Sequence, residues 1–459
     1  MSKREISRRA FMQRTAAAAG AAIGGRSILL SPEMTRAGET LASASGKPMA
    51  PSDTIHFGII GVGMQGSGLL ATSIRLPGVE CIAACDLYDG RLQLAKEIVG
   101  AEKPLVCTKR YHDLLENKDI DCVIAAVPDH WHKHIIVDAC SAGKDIYCEK
   151  PMTHKVEEGF EIVEAEKKNN RIVQIGSQRR SSIIYAKAKE LVDQGKIGDV
   201  CLVEAIMGRN DPCGAWEYTV PPDLSPQTVD WETWLGSAPK RDFDPIRWTR
   251  WRCFQDYGEG IPGDLYVHEI TGVHFVMGIT APAERALSTG GLFRWHDGRD
   301  VPDTMTTLYE YPKFRATMRV TLNTETPEST RFMGAGGMIE IHDDSVTLSP
   351  QDGLDHSPCT PGWPHKMEAD YAEQWYAAHG PKPATSKAVE SVTYHAPADY
   401  SDDREHLWNY FQSVRTRQPS VEDGTFGNNA ALGCHLANYS YFNKCVAEWD
   451  AEGKKIRKA

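Results

Sequence analysis

One lysine in this chain stands at the end of an apolar segment, a position where it could do chemistry. The stretch from Gly143 to Pro151, GKDIYCEKP, predicts a helix stop, a buried β-strand and a Glu-Lys-Pro corner. In an open α/β sheet, ligands bind outside the carboxyl ends of the strands, so Glu149 and Lys150 are candidates for ligand contact. The alternative is a solvated lysine in a surface turn, which is the common fate of lysines.

A second candidate pair lies downstream, in the run GIPGDLYVHE. Asp264 and His268 are four residues apart, so on an α-helix their side chains share a face and can meet. A carboxylate beside an imidazole fixes its tautomer and raises its basicity, which suits an acid/base group. The alternative is that Asp264 caps the helix and His268 is an ordinary core histidine.

A glycine-rich turn upstream indicates what the lysine could meet. The apolar run Ile55–Ile60 is followed by Gly61-Val-Gly63-Met-Gln-Gly66 and then by apolar residues at helical spacing. Strand, GxGxxG and helix in this order are the context of a dinucleotide-binding turn. The first glycine allows the tight turn, the second lets the backbone approach a pyrophosphate, and the third allows close helix–strand packing.

The choice between the two nicotinamide dinucleotides depends on the next strand, which ends at Asp86. A carboxylate at that place hydrogen-bonds the adenosine ribose and repels a 2′-phosphate. The sequence therefore favours NAD over NADP. Arg91 is close enough in sequence to keep NADP open, and the alternative for Asp86 is that it only caps a strand.

Three alternating histidines, His130, His132 and His134, raise the question of a metal site. They fall in a loop that enters a helix, and no cysteine or carboxylate cluster nearby completes a set of ligands. We therefore predict no metal, and we expect one of these imidazoles to border the cofactor.

Length and composition limit the classes of function. The chain has 459 residues, 41% hydrophobic and 25% charged, with a net charge of −11. These values predict a soluble globular protein with two domains. An acidic body without a basic run repels nucleic acid, so we expect no nucleic-acid partner. The twelve cysteines contain no C-x-x-C pair, and we expect most of them to be free and buried.

The amino end predicts an export signal. A twin-arginine motif, SRRAFM, precedes a weakly apolar stretch at residues 15–25, and Ala-Ser-Ala ending at Ala44 offers a cleavage site. We assign residues 1–44 to a twin-arginine (Tat) signal and 45–53 to a linker. The apolar stretch is too short to span a bilayer. We therefore expect an exported, periplasmic or extracytoplasmic protein without a stable membrane anchor; the alternative is a disordered basic tail.

Three motifs in this order resemble the Gfo/Idh/MocA family, named after glucose–fructose oxidoreductase and inositol dehydrogenase. They are Gly61-x-Gly63-x-x-Gly66, Pro128-Asp-x-x-His132 and Glu149-Lys150-Pro151. The likeness covers about residues 55–440 and is nearest to the Tat-exported members. It implies that Asp264 and His268 face the substrate. Where the family usually has an acidic residue three positions past this histidine, the chain has Thr271, which leaves the substrate open.

The motifs and the resemblance together give the expected site. The cofactor-binding residues are Gly61, Gly63, Met64, Gln65, Gly66, Asp86, Pro128, His132, Glu149, Lys150 and Gln178. The catalytic residues are Lys150, His268 and Asp264, and the substrate contacts are Arg179, Arg252 and Tyr266. Either Lys150 or His268 is the base. The Trp- and Arg-rich insertion at 216–252 fits sugar stacking and a packed loop equally well.

The predicted fold class is α/β. Residues 54–178 form a doubly wound, parallel Rossmann sheet, and residues 179–425 form an α+β domain with an open, mainly antiparallel sheet. Residues 426–459 are predicted as a C-terminal helix that packs back on the first domain. The resemblance implies that the second sheet mediates homo-oligomer contacts.

The expected activity is oxidation of a CH–OH group of a sugar, glycoside or polyol. An exported protein has no external nicotinamide pool, so NAD should be held tightly. The family also suggests a redox-neutral, NAD-dependent glycosidase that works through transient C3 oxidation. Its N-acetylgalactosaminidases locally resemble the run Gly263–Tyr266. A non-catalytic nucleotide-binding protein is disfavoured because Lys150, Asp264 and His268 are all present.

Overall fold

The computed structural model describes residues 26–30, 53–351, 358–380 and 390–459. A six-stranded parallel sheet and an eleven-stranded, mainly antiparallel sheet organise this part of the chain. The first described piece contains strand β1 (Arg26–Leu29), which lies at one edge of the larger sheet. The predicted fold class is confirmed.

The smaller sheet is doubly wound. All its neighbouring strands are parallel. Their order is β4-β3-β2-β5-β6-β7, so the chain reverses its direction of winding between β2 and β5. These strands are β2 (Ile55–Ile60), β3 (Val79–Cys85), β4 (Val106–Thr108), β5 (Cys122–Ala125), β6 (Asp145–Glu149) and β7 (Val173–Gly176).

Helices flank this sheet because its central strands are apolar on both faces; every residue of β5, β6 and β7 is buried. The strand ends that follow β2, β5 and β6 share one edge, because the strands are parallel. The glycine-rich turn, the His130 loop and the Lys150 corner therefore meet there. The helices are α1 (Met64–Ser73), α2 (Asp89–Val99), α3 (His112–Glu116), α4 (His132–Ser141) and α5 (Glu158–Asn169).

The second half of the chain builds the larger sheet and the helices on its covered face. Its elements are α6 (Ile183–Asp193), β8 (Val200–Gly208), α7 (Trp231–Leu235), α8 (Pro245–Thr249), α9 (Val267–Met277), β9 (Arg285–Gly291), β10 (Thr304–Glu310), β11 (Arg315–Thr321), β12 (Thr326–Gly334), β13 (Gly337–His342), β14 (Ser345–Pro350), α10 (His365–His379), β15 (Val392–His395), α11 (Asp402–Thr416), α12 (Gly424–Asn443), β16 (Ala447–Asp450) and β17 (Lys455–Lys458).

Alternating burial shows that one face of this sheet is covered. Along β10 and β11, every second residue is buried, including Met305, Tyr309, Met318 and Val320. Strand β12 is hard to recognise from the sequence, because its start, TPEST, has no apolar alternation.

The C-terminal helix α12 packs on the first domain, where it contacts α5 and β7, and it also contacts β9 of the second domain. Helix α11 packs on the Rossmann sheet as well: the Phe411 ring lies 5.7 Å from that of Phe57, and the Tyr410 hydroxyl donates to the Val123 carbonyl at 3.2 Å. After α12 the chain forms the hairpin β16–β17, which extends the larger sheet.

The amino-terminal strand lies inside the span assigned to the export signal. Strand β1 pairs in parallel with β15, and Leu30 after it is 4% exposed. The rest of the predicted signal and residues 45–52 of the linker lie outside the described residues. In the part of the chain that the structure describes, no helix combines the length and apolar character needed to cross a membrane.

Helix α10 lies on the surface, and none of its residues is buried. The prediction that most cysteines are free and buried is confirmed. All twelve cysteines are free, and eight are buried: Cys81, Cys85, Cys122, Cys140, Cys148, Cys253, Cys434 and Cys445.

Candidate active site

Lys150 lies at the carboxyl end of β6 and is not a solvated surface residue. Its side chain is 12% exposed. The ammonium group donates to the backbone oxygen and to Oδ1 of Asp264, each at 2.8 Å. The corner formed by Lys150 and Pro151, a cis peptide, therefore joins the edge of the first sheet to the second domain.

Asp264 accepts hydrogen bonds from side chains of three separate segments of the chain. Besides Lys150, Arg252 Nε donates to its Oδ1 at 2.9 Å, and Trp216 Nε1 donates to its Oδ2 at 2.9 Å. Burial disfavours the carboxylate, but the charges of Lys150 and Arg252 outweigh burial and hold the pKa of Asp264 well below its ordinary value. Asp264 is therefore ionised at neutral pH.

The predicted hydrogen bond between Asp264 and His268 is not formed. Residues Pro262–Tyr266 form a π-helical turn before α9, so the spacing of four does not have its α-helical geometry. Among the described residues, His268 Nδ1 instead faces the Ser177 carbonyl at 3.4 Å. Burial, reinforced by Lys150 and Arg179, lowers the pKa of His268 well below its ordinary value, so the imidazole is neutral.

The glycine-rich turn has the shape that a dinucleotide needs. Gly61 has a φ of +86°, and a Cβ on Gly66 would lie 2.0 Å from the Gly61 carbonyl oxygen. Helix α1 begins at Met64, and no side chain in the described part of the chain caps its amino end. Met64 is 60% exposed. The N–H groups of the first turn are thus left for an anion, and a pyrophosphate fits them.

Two buried carboxylates support this turn. Val62 N donates to Asp86 Oδ2 at 2.8 Å, and the Arg91 guanidinium lies 3.8 Å from the same oxygen. Gln65 Nε2 donates to Glu149 Oε1 at 3.0 Å, which ties α1 to the Lys150 corner. Burial raises the pKa of Glu149 to about 7. The glycine-rich turn and the candidate catalytic lysine are therefore held as one unit.

His132 has a different place from the one predicted. Its side chain is buried, with Nδ1 2.6 Å from the Pro151 carbonyl and Nε2 3.0 Å from that of Val127. Burial lowers its pKa to about 4. With both ring nitrogens occupied by backbone oxygens, His132 braces the corner from behind instead of bordering the cofactor. Pro128 lies at the end of β5, beside this brace.

The described residues contain no group of three potential ligands that could hold a metal ion. Of the other two histidines, His130 is buried, and its Nε2 lies 3.1 Å from the Trp234 carbonyl oxygen. His134 stacks edge-on against Trp131.

A polar cavity of about 200 Å³ opens beside His268. Arg179 and Gln178, both predicted for the site, line it, and Arg179 donates to Glu328. The sequence analysis missed the other charged residues here, because they carry no local motif and only tertiary contacts bring them together. The lining is Ser177, Gln178, Arg179, Met207, Arg209, His268, Glu328, Asp402 and Asp403.

The structure does not support the prediction that Tyr266 contacts the substrate. Its side chain is fully buried, and its hydroxyl donates to the Met318 carbonyl at 3.1 Å. It lies in the π-helical turn but points into the core beneath the sheet. Arg252, the other predicted substrate contact in this region, holds Asp264.

The tryptophans of the 216–252 insertion form a packed loop. Trp216, Trp231, Trp234 and Trp248 are all buried. Trp231 and Trp234 stack on each other with ring centroids 4.8 Å apart. All four side chains belong to the core of the second domain, so the packed-loop interpretation is the correct one for them.

Comparison with known proteins agrees with this geometry. Residues 55–177 match the family model described as "Oxidoreductase family, NAD-binding Rossmann fold", and residues 185–340 match "GFO/IDH/MocA C-terminal domain". The chain belongs to the Gfo/Idh/MocA family. Its first domain is accordingly an NAD-binding Rossmann domain.

Curated relatives in this family include inositol dehydrogenases. The inositol 2-dehydrogenase of Salmonella typhimurium is 34% identical over 197 residues, which are 42% of this chain and 54% of that enzyme. An inositol 2-dehydrogenase/D-chiro-inositol 3-dehydrogenase of Lactiplantibacillus plantarum is 29% identical over 34% of this chain and 45% of its own length. The chain thus spans about half the length of the curated relatives it matches.

Solved structures of other oxidoreductases share the fold. A levoglucosan dehydrogenase in complex with NADH and levoglucosan superposes with a TM-score of 0.61 at 18% identity, covering 86% of this chain and 99% of that one. An aldose-aldose oxidoreductase from Caulobacter crescentus gives a TM-score of 0.61 at 16% identity, with the same coverage. At these identities the likeness concerns the fold.

Proposed function

We propose that this protein is an NAD-dependent dehydrogenase that oxidises a CH–OH group of a sugar or polyol. The observation that carries the proposal is the bond between Lys150 and Asp264 at the same strand edge as the glycine-rich turn. The Gln65–Glu149 hydrogen bond holds this edge to the dinucleotide site. The inositol dehydrogenases among the relatives support a polyhydroxylated substrate.

In the proposed mechanism, Lys150 and His268 have separate tasks. Lys150, paired with the ionised Asp264, is an ammonium that donates a hydrogen bond to the reacting hydroxyl oxygen. His268 is neutral, and its Nε2 has no partner within the described residues, so it can accept the hydroxyl proton. Bound NAD supplies the hydride acceptor for the carbinol carbon. Asp264 fixes the ammonium and stabilises its charge throughout.

We propose NAD rather than NADP as the cofactor. Asp86 is held by Val62 N at the edge of the glycine-rich turn, where its charge opposes a 2′-phosphate. Arg91 forms an ion pair with Asp86, and its guanidinium stacks on Trp248, 4.1 Å from the ring centroid. These two contacts hold Arg91 away from a role in binding a 2′-phosphate. Binding of each dinucleotide to the cofactor-free protein, followed by calorimetry, tests this preference; tighter binding of NADP would refute it.

The activity is tested in two steps. The purified protein is denatured and the released NAD(H) is counted, which tests tight cofactor binding. The native protein is then given NAD with inositols and aldoses, and with aryl glycosides. NADH formation with a matching oxidised product supports the dehydrogenase. Release of the aryl group without net NADH would instead identify the redox-neutral glycosidase.

Assembly and export belong to the same proposal. Leu287 and Leu308 lie side by side on the open face of the larger sheet and are 50% and 38% exposed. We propose that this face forms a homo-oligomer contact; Leu287→Glu should lower the mass seen by light scattering.

We further propose that the twin-arginine segment directs export, which fractionation of the native host checks.

A further inference from the structure

The candidate active site holds more positive charge than it neutralises. Lys150 and Arg252 are 12% and 19% exposed, and both donate to the single carboxylate of Asp264. Mostly buried charges are normally paired one to one, because an unpaired charge loses hydration without compensation. Here both cations and Trp216 donate to Asp264. Two further acids lie near these cations, but burial raises the pKa of Asp129 well above its ordinary value and that of Glu149 to about 7, so they add less negative charge.

A third cation adds to this excess. Arg209 follows β8, lines the cavity beside His268, and lies close enough to Asp264 to help lower its pKa. Its guanidinium makes no hydrogen bond or ion pair within the described part of the chain. Its stem packs beside Gly214, where a Cβ would lie 3.1 Å from the Arg209 Cβ. A planar fork of this kind matches a carboxylate.

The other cavity wall is acidic. Asp402 and Asp403 come from the first turn of α11, and Glu328 comes from β12. Glu328 accepts from Arg179, whose buried Nε has no partner in the described part of the chain. Carboxylates such as these accept hydrogen bonds from hydroxyl groups. The cavity lining thus offers both the guanidinium of Arg209 and acceptors for hydroxyl groups.

We infer that the substrate is a sugar acid, with its carboxylate on Arg209 and its hydroxyl groups directed toward Asp402 and Asp403. This inference rests on the proposed dehydrogenase function and names its substrate class. The carboxylate neutralises the guanidinium of Arg209. Among the described lining residues Arg209 is the cation without a hydrogen-bonded acid, because Arg179 donates to Glu328, so the carboxylate fixes how the sugar lies beside His268.

The test compares matched substrates in the NAD-loaded protein. Glucuronate, galacturonate and gluconate are set against glucose, galactose and inositol, with acetate as a bare carboxylate. We expect kcat/KM to be at least about 10-fold higher for an acid than for its neutral counterpart, because a site built to bond a group discriminates against analogues that lack it. Thermal stabilisation of the loaded protein by the acids provides a second readout.

Three variants locate the effect. Arg209→Gln should remove the preference, by lowering kcat/KM for the acids at least about 10-fold more than for the neutral sugars. Arg209→Lys should restore part of the preference, because it keeps the charge. Arg319→Gln, an exposed arginine on β11, should leave the preference intact.

The outcomes separate this inference from the proposed function. Turnover of neutral sugars without any advantage for acids, or an unchanged preference in Arg209→Gln, overturns the sugar acid while the dehydrogenase stands. Stabilisation by sugar acids that Arg209→Gln abolishes supports the inference even where no NADH forms, in which case the dehydrogenase fails. Stabilisation by none of the acids overturns it.

Discussion

The two sides of the candidate site differ in how their polar groups are used. On the dinucleotide side, Glu149, Asp86 and His132 are buried and bonded to protein groups that brace the turn and the corner. On the cavity side, the guanidinium of Arg209 and the Nε2 of His268 have no protein partner among the described residues. The difference indicates that side chains of the first side hold the cofactor-binding turn in shape, whereas side-chain groups of the second side are left for the substrate.

The largest expected effect is at Lys150, where the two sides meet. Lys150→Ala should lower kcat/KM by about 10²–10⁴-fold, the range for removal of a positioned acid/base or charged group. Arg252 and Trp216 still hold Asp264, so the melting temperature should change little. Steady-state kinetics and thermal denaturation measure both quantities.

Lys133→Ala is the matched control. That lysine pairs with the half-exposed Glu161 at 3.1 Å on the helical layer of the first domain. Its loss should leave kcat/KM unchanged. Equal losses in the two variants, or full turnover in Lys150→Ala, would contradict the assignment of Lys150.

Gly66→Ala tests the scaffold on the dinucleotide side. The new Cβ would lie 2.0 Å from the Gly61 carbonyl, so the turn must shift. We expect NAD affinity to fall at least about 10-fold and stability to fall by about 1–3 kcal/mol, which is usual for a single disruptive substitution. Gly68→Ala, where no atom lies within 4 Å, should bind NAD normally. Similar affinities of the two variants would show that the close approach is unimportant.

Glu422 is a buried acid beneath the cavity, and its ionisation should make the stability of the protein depend on pH. Ser177 Oγ lies 2.5 and 2.6 Å from its two oxygens, and burial raises its pKa to about 8. An acid whose pKa is raised by folding contributes stability at low pH, and this contribution is lost as pH rises through the folded pKa. The protein should therefore lose stability between about pH 4.5 and 8.

Glu422→Gln should flatten this pH dependence, because the amide does not ionise. Melting temperatures at pH 5.5 and 8.5 for both proteins measure it, with Glu161→Gln as the exposed control. If the two proteins lose the same stability over this range, Glu422 does not titrate as described.

The smallest effect on activity is expected at Tyr266. Its hydroxyl donates to Met318 in the core, so Tyr266→Phe should cost about 1 kcal/mol of stability, the usual worth of one hydrogen bond. Its kcat/KM should stay within about twofold of the wild type, since the loss concerns folding alone. A large change in KM would indicate that Tyr266 contacts the substrate after all, and it would contradict its assignment to the core.

The same contrast explains what the sequence could predict. Gly61, Gly66 and Lys150 belong to local patterns in which the spacing itself carries the physics of a turn or a strand end. The fold class followed from the same local signals, because strand and helix periods are visible within a few residues. The glycine-rich turn and the lysine corner could therefore be predicted from the amino-acid sequence alone, whereas the burial of His132 behind the corner could not.

Only part of the cavity side, namely Gln178, Arg179 and His268, could be predicted from the sequence. Arg209 and Asp402 are far apart in the chain, and no spacing links them. The spacing of Asp264 and His268 was interpreted as α-helical, but residues Pro262–Tyr266 form a π-helical turn. The amino-acid sequence carries no pattern that predicts such a turn. For Tyr266, position beside a catalytic residue gave no information on the direction of its side chain.

Strand β1 has a consequence for maturation. It covers the outer edge of β15, and a cut after Ala44 would remove it from the chain. The backbone N–H and C=O groups of Val392–His395 would then form the border of the sheet. An uncovered border of this kind is a template for pairing with another strand. Proteolytic processing after Ala44 would thus change which strand forms the edge of the sheet that is open to pairing.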